Sequence, residues 1–256
     1  MNFRLLLAFS LLCFLSGCSM FGADKDARRL VADGLTPKEL YEKAEDKVES
    51  GLLEQAIDEY QLILDSYPNS KYAIQARLDI AYNLFKQKKH NRAIIELDNF
   101  IEKYPDLEPT PYAYYLKGVI AESKSNSMLD NLITDTAQRD VGSVKDAYKY
   151  FQDLINKFPD SKYAEEAKNN LSNLRNTLAK HEFYVALYYH RIGAYIASSN
   201  RSKYIIENYP NSLSIPDALY LMAWNYELIG ADELATDTRE ILYSSYKDYL
   251  PNYSIN

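Results

Sequence analysis

The sequence predicts an all-α fold, a solenoid of about five helix pairs, on three observations. Small residues recur twelve apart, as Ala44 and Ala56, Ala81 and Ala93, Ala186 and Ser198, and Ala223 and Ala235. Twelve residues beyond each pair stands Pro68, Pro105, Pro210 or, in the last copy, Lys247. The first members of successive pairs lie 37 residues apart, from Ala44 to Ala81 to Gly118 and again from Ala186 to Ala223. A fixed period of this length marks stacked helical hairpins, in which neither helix of a pair buries its apolar face alone. The small residues belong where two antiparallel helices come closest, and the proline lies past the second helix because it cannot continue one. The repeat is therefore tetratricopeptide-repeat-like.

The elements follow in order. Helices are expected near 37–49, 53–66, 71–87, 90–103, 110–125, 143–157, 161–190, 194–208, 214–229 and 231–246. Tyr67-Pro68-Asn69-Ser70, Tyr104-Pro105-Asp106, Phe158-Pro159-Asp160-Ser161 and Tyr209-Pro210-Asn211-Ser212 each end one helix, and the Asn, Asp or Ser is placed to cap the next. Within the helices apolar residues recur at helical spacing, as in Ile94, Leu97, Phe100 and Ile101. Pro216 falls near the start of a helix, where its missing N–H costs least. The third pair, Gly118 and Ala147, is 29 residues apart instead of twelve, so this repeat carries an insert. The next repeat opens on a long helix. The insert, Ser123 to Asp146, is polar around Met128, Leu129, Leu132 and Ile133, with Asp135, Arg139 and Asp140 able to pair as ions.

At the amino terminus, Arg4 precedes an apolar run from Leu5 to Leu15, too short to cross a bilayer as a helix. Leu15-Ser16-Gly17-Cys18 resembles the lipobox of bacterial lipoproteins, in which the cysteine is acylated and becomes the first mature residue. That reading makes residues 1–17 a signal peptide and 18–36 a lipidated, flexible tether, with the repeat domain over 37–256. Ser19 in place of an aspartate implies sorting to the outer membrane, with the repeats facing the periplasm. Cys13 and Cys18 are the two cysteines, so processing leaves no thiol for a disulfide, a nucleophile or a metal site.

Composition excludes more than it identifies. A net charge of −7 argues against nucleic-acid binding. His90, His181 and His190 form no metal-binding motif, and no phosphate loop or nucleophile elbow is present. The expectation is a protein without catalysis or cofactor. Tyrosine is abundant, at 24 residues, and suits helix packing and protein contacts alike. With the small residue at position eight of each repeat, concave positions fall on Tyr41, on Leu78, Tyr82 and Phe85, and on Tyr112 and Tyr115. Five aromatics on one groove suit an extended peptide, and packing onto neighbouring helices is the alternative role for them.

The stretch from Leu178 to Arg201, which includes Tyr188-Tyr189-His190-Arg191-Ile192-Gly193-Ala194-Tyr195 and Ser199-Asn200-Arg201, closely resembles the central signature of the BamD family. Members of that family are lipoproteins of the outer-membrane β-barrel assembly machinery. The lipobox, the Tyr-Pro helix ends, Tyr114-Tyr115-Leu116-Lys117-Gly118 and Gln138-Arg139-Asp140 agree with it, so the resemblance spans the chain from Cys18 to about Tyr246. It implies a scaffold that binds a BamA-like barrel protein through repeats at about 160–247, with further accessory lipoproteins among its partners. Repeats at about 37–159 would recognise unfolded outer-membrane protein clients. Partner-binding residues carried over are Arg201, Asn200, Arg191 and Tyr188, with Arg201 as the interface ion-pair residue. One departure is Ile192, where relatives commonly place a basic residue before Gly-Ala-Tyr. The competing reading is a periplasm-facing repeat lipoprotein acting as an adaptor in cell-envelope or division complexes.

Overall fold

In the computed structural model, residues 34–127, 141–251 and 253 are described. Cys18, the tether up to residue 33 and residues 128–140 of the insert, including Asp135, Arg139 and Asp140, lie outside them. Among the described residues there are ten helices and no strand. They fall into two compact units that divide between Lys103 and Tyr104.

The first unit holds α1 (Pro37–Glu49), α2 (Leu53–Ser66), α3 (Lys71–Lys86) and α4 (His90–Lys103). Thr36 opens α1 with a capping box. Its hydroxyl accepts from the Glu39 N–H at 3.3 Å, and its own N–H donates to the Glu39 carboxylate at 2.7 Å, with Pro37 following at the first turn. The α1–α2 turn closes on Gly51 at φ 74° and the α3–α4 turn on Lys88 at φ 60°. Both are left-handed, and in both an N–H reaches back to the helix it leaves: Leu52 to the Lys47 carbonyl at 2.8 Å, Lys89 to the Leu84 carbonyl at 2.9 Å. Ala44, Ala56, Ala81 and Ala93 are fully buried, and Tyr60, Ile63, Leu78, Leu84, Leu97 and Phe100 fill the core around them.

The second unit holds α5 (Thr110–Ser127), α6 (Gly142–Lys157), α7 (Ala164–Arg191), α8 (Tyr195–Asn208), α9 (Ile215–Leu228) and α10 (Asp232–Ser245). Helix α7 is the long helix expected from the spacing, at 28 residues. The turns after α7 and α9 again use left-handed residues, Gly193 at φ 78° and Gly230 at φ 75°. Ala147, Ala186, Ser198, Ala223 and Ala235 are all buried. At Gly118 the approach is closest, since an added Cβ would lie 2.5 Å from the Phe151 ring.

The aromatic–proline turns end α2, α6 and α8 as the sequence predicts, and in each the Ser N–H bonds the aromatic carbonyl: Ser70 to Tyr67 at 3.0 Å, Ser161 to Phe158 at 3.1 Å, Ser212 to Tyr209 at 3.2 Å. Their expected capping role holds only for Ser70, whose hydroxyl accepts from the Ala73 N–H at 3.1 Å. In the second unit one more turn intervenes, so α7 starts after Tyr163 and α9 after Ser214. Ser161 and Ser212 then sit too early to reach a first-turn amide, and both hydroxyls are buried without a hydrogen-bond partner.

Gly118→Ala tests the close approach. A methyl group there forces the Phe151 ring aside, and overpacking of this kind costs about 1–3 kcal/mol. We expect a lower urea midpoint with an unchanged slope, whereas Ala147→Gly at the facing position should cost about 1 kcal/mol by helix propensity.

Candidate functional site

Six exposed residues on α7, α8 and the turn between them make the first candidate surface. Helix α7 ends at Arg191, the chain reverses through Gly193, and α8 runs back alongside it. Tyr188, Ile192 and Ile196 flank this reversal and are 59%, 57% and 64% exposed. Asn200 and Arg201 are exposed on α8, and with Tyr189, Ala197 and Tyr204 they line a concavity of about 300 Å³. Arg191 is exposed at the end of α7, and Ile192 caps that helix. Ile192 thus presents an apolar side chain where a basic one was expected.

Arg201 has a partner that sequence reasoning missed. Its Nη1 donates to Glu182 Oε2 at 3.0 Å; the Glu182 side chain is 6% exposed and that of Arg201 is 44%. The buried carboxylate holds Nη1 of the guanidinium, while much of the side chain stays open to solvent. An arginine held in this way is pre-oriented for a second, planar acceptor.

Beneath this face lies a buried polar chain. His190 Nδ1 is 2.6 Å from Asn225 Oδ1, Asn225 Nδ2 donates to Ser198 Oγ at 2.8 Å, and Ser198 Oγ donates to the Ala186 carbonyl at 2.8 Å. Because the Asn225 amide donates to Ser198, its oxygen accepts, and the His190 proton sits on Nδ1. The chain ties α7, α8 and α9 together. Its sequence signal was Ser198, the one hydroxyl in a ladder of Ala and Gly. His190 is therefore a structural histidine. No group of three or more His, Cys, Asp or Glu that could hold a metal occurs among the described residues.

The aromatic positions separate into two groups. In the first unit, Tyr41 packs 5.4 Å from Tyr60 and 5.5 Å from Tyr72, and its hydroxyl donates to Asp79 Oδ2 at 2.6 Å. Tyr82 is exposed, lies 6.4 Å from the half-buried Phe85, and carries the Lys86 ammonium 4.8 Å over its ring. Leu78, expected on the concave surface, is instead 1% exposed and belongs to the core. The tyrosines at the same repeat position, Tyr41 and Tyr115, are half-buried, while the shorter leucine is wholly enclosed. In the second unit, Tyr115 stacks on Tyr163 at 5.3 Å and 21° and lies 5.9 Å from Phe151, and Tyr112 is 5.5 Å from the same Tyr163. These two are half-buried and spend part of their surface on packing.

Asp79 is the electrostatic feature of the first group. Burial raises its pKa, against the opposing hydrogen bonds from Tyr41 and from Gln75 at 3.2 Å. Burial, reinforced by Asp79, pushes the Tyr41 phenol up as well.

A family model described as an outer membrane lipoprotein, YfiO, matches residues 33–242 and so covers both units. The chain is 33% identical over 245 residues to the outer membrane protein assembly factor BamD of Neisseria gonorrhoeae, covering 95% of this chain and 91% of that one. It is 31% identical over 229 residues to the BamD of Xylella fastidiosa, with 89% and 78% covered. It is 26% identical over 243 residues to that of Vibrio cholerae, with 94% and 98% covered.

The raised pKa of Asp79 has a sign that can be measured. Its folded form holds the proton more tightly than the unfolded chain, so its contribution to stability is full below the ordinary aspartate pKa. That contribution is lost as pH rises through the raised value. Asp79→Asn, which still accepts from Tyr41, should raise the urea midpoint at pH 7, and the gain should shrink as the pH is lowered through the Asp79 titration.

Proposed function

The chain belongs to the YfiO family of outer membrane lipoproteins, and from this premise we propose that it is a non-enzymatic scaffold and client-recognition subunit of the machinery that folds and inserts β-barrel proteins. Lipid on Cys18 holds it in the outer membrane, and the repeats face the periplasm. Membrane attachment raises its local concentration at the assembly site, so individually modest contacts suffice.

The observation that carries the docking role is the exposed apolar cluster Tyr188, Ile192 and Ile196 beside an arginine already oriented by a buried carboxylate. An aromatic and aliphatic centre flanked by a fixed guanidinium is the composition of an interface hot spot. Tyr188, Arg191, Asn200 and Arg201 are the residues we assign to a BamA-like barrel protein, with an acidic side chain of that partner meeting the open edge of Arg201. Other surfaces remain for accessory lipoproteins. Unfolded outer-membrane clients fall to Tyr41, Tyr82 and Phe85 of the first unit and to Tyr112 and Tyr115 of the second. Leu78 supports the first group from below and makes no contact of its own.

The two roles separate by mutation. Charge reversal at Arg201 would set a second carboxylate beside Glu182, so Arg201→Lys is the informative change: it keeps the charge and loses the fork. We expect Arg201→Lys to weaken binding to isolated periplasmic domains of the barrel protein about tenfold, or roughly 1.4 kcal/mol, with client-peptide binding unchanged. Tyr82→Ala and Phe85→Ala should do the reverse. Equal losses for both partners in either variant would contradict the division. Co-purification of the chain from gently solubilised outer membrane should recover a BamA-type barrel protein in near-equal amount; division or cell-wall proteins in its place would overturn the assembly role.

A further inference from the structure

After α10 the chain does not leave the fold. It turns at Tyr246, where the Tyr249 N–H bonds the Tyr246 carbonyl at 3.1 Å, and runs back over α9 and α7. The Tyr249 hydroxyl donates to the Asp217 carboxylate, and the Tyr253 hydroxyl donates to the Asp217 carbonyl at 3.3 Å. The Tyr249 ring lies 6.0 Å from Tyr220, and the Tyr253 ring meets Phe183 edge-on at 4.9 Å and 74°. Between them Leu250 is 82% exposed, so Tyr249 and Tyr253 face inward and Leu250 outward.

The residues beneath it have a fixed place in the repeat. Phe183 stands three before Ala186 and Tyr220 three before Ala223, the position that Tyr41 holds before Ala44 and Tyr115 before Gly118. In these two consecutive repeats that position is therefore already covered, by the chain's own carboxy-terminal segment. Two acceptors of a single aspartate serve two phenol hydroxyls, and two aromatic rings serve two aromatic rings. That pairing selects tyrosines over phenylalanines, because an Asp217 carboxylate covered by a ring without a donor is left buried and unpaired.

We propose that the face formed by Phe183, Asp217 and Tyr220 is a peptide-binding groove for a segment with two tyrosines four residues apart, and that the chain's own Tyr249 and Tyr253 are its resident, competing occupant. The tether gives this occupant an effective concentration in the millimolar range, so a free peptide of micromolar affinity gains access only when the resident segment is loosened. The proposal stands apart from the client and docking assignments, because its ligand is defined by the chain itself.

Trp224 is the single tryptophan, and it lies 6.0 Å from Tyr220, so its emission reports on the groove. The probe is a synthetic peptide of residues 246–256, titrated against the full chain and against full-length Tyr249→Ala/Tyr253→Ala. We expect saturable change in Trp224 emission with the variant at least tenfold tighter than with the unsubstituted chain. A peptide with both tyrosines replaced by phenylalanine should lose most of that binding. Should the double variant lose its helical circular dichroism, Tyr249→Phe, which keeps the ring and removes the donor, replaces it in the same titration. A folded variant that binds the peptide no better than the unsubstituted chain overturns the proposal, as does equal binding of the phenylalanine peptide.

Discussion

Two antiparallel helices pack only as closely as the side chains at their crossing allow, and in every hairpin of this chain that crossing is held by Ala, Gly or Ser with essentially no exposed surface. The rest of the structure follows from it. In four of the five hairpins among the described residues the close crossing comes at a spacing of twelve residues, and from Gly118 to Ala147 at 29. Register fixes where the left-handed turn must come, at Gly51, Lys88, Gly193 and Gly230. The turn in turn decides which residues of the first helix face away from the second and are free to recognise something else. At Gly118 the constraint is strictest, since the Phe151 ring already fills the space a methyl group would need.

One substitution within that constraint distinguishes the carboxy-terminal repeats. Ser198 satisfies the size requirement and also brings a hydroxyl into a dry crossing, where an unpaired polar group is expensive. It is paired on both sides, to the Ala186 carbonyl and to Asn225, and through Asn225 to His190. The equivalent asparagine in the first unit, Asn83, two residues past Ala81, has Val48 and Ala56 at the corresponding places, and its buried Oδ1 has no partner. A fully satisfied polar network rigidifies its surroundings. Here it joins α7, α8 and α9, and Glu182 on α7 separately holds Arg201 on α8. The repeats assigned to the barrel partner are thus ones whose helices are joined by buried polar bonds.

Much of this was legible in the sequence because spacing is a strong signal and sterics leave few ways to satisfy it. The limits of α1, α2 and α4 agree with the sequence reading residue for residue, and the others shift by up to three residues. The larger misses share one cause, which is that a one-dimensional period does not report what a side chain meets in three dimensions. Ser161 and Ser212 have the same local motif as Ser70 but lose their capping role to one additional turn. Leu78 has the right register for a groove and the wrong length. Glu182 gave no sign of pairing with Arg201, nineteen residues on, because that contact depends on α7 and α8 lying side by side. The packing of Tyr249 and Tyr253 onto Asp217 was equally invisible, as the repeat pattern ends before they are reached.

The central claim is that docking and client recognition use different repeats of one scaffold. Hydrogen–deuterium exchange on the intact chain, alone and then saturated with the periplasmic domains of its barrel partner, tests it most directly. The account predicts new protection concentrated over residues 188–204, with α1 to α3 exchanging at their original rates. Protection centred on α1 to α3, with residues 188–204 unchanged, would contradict it.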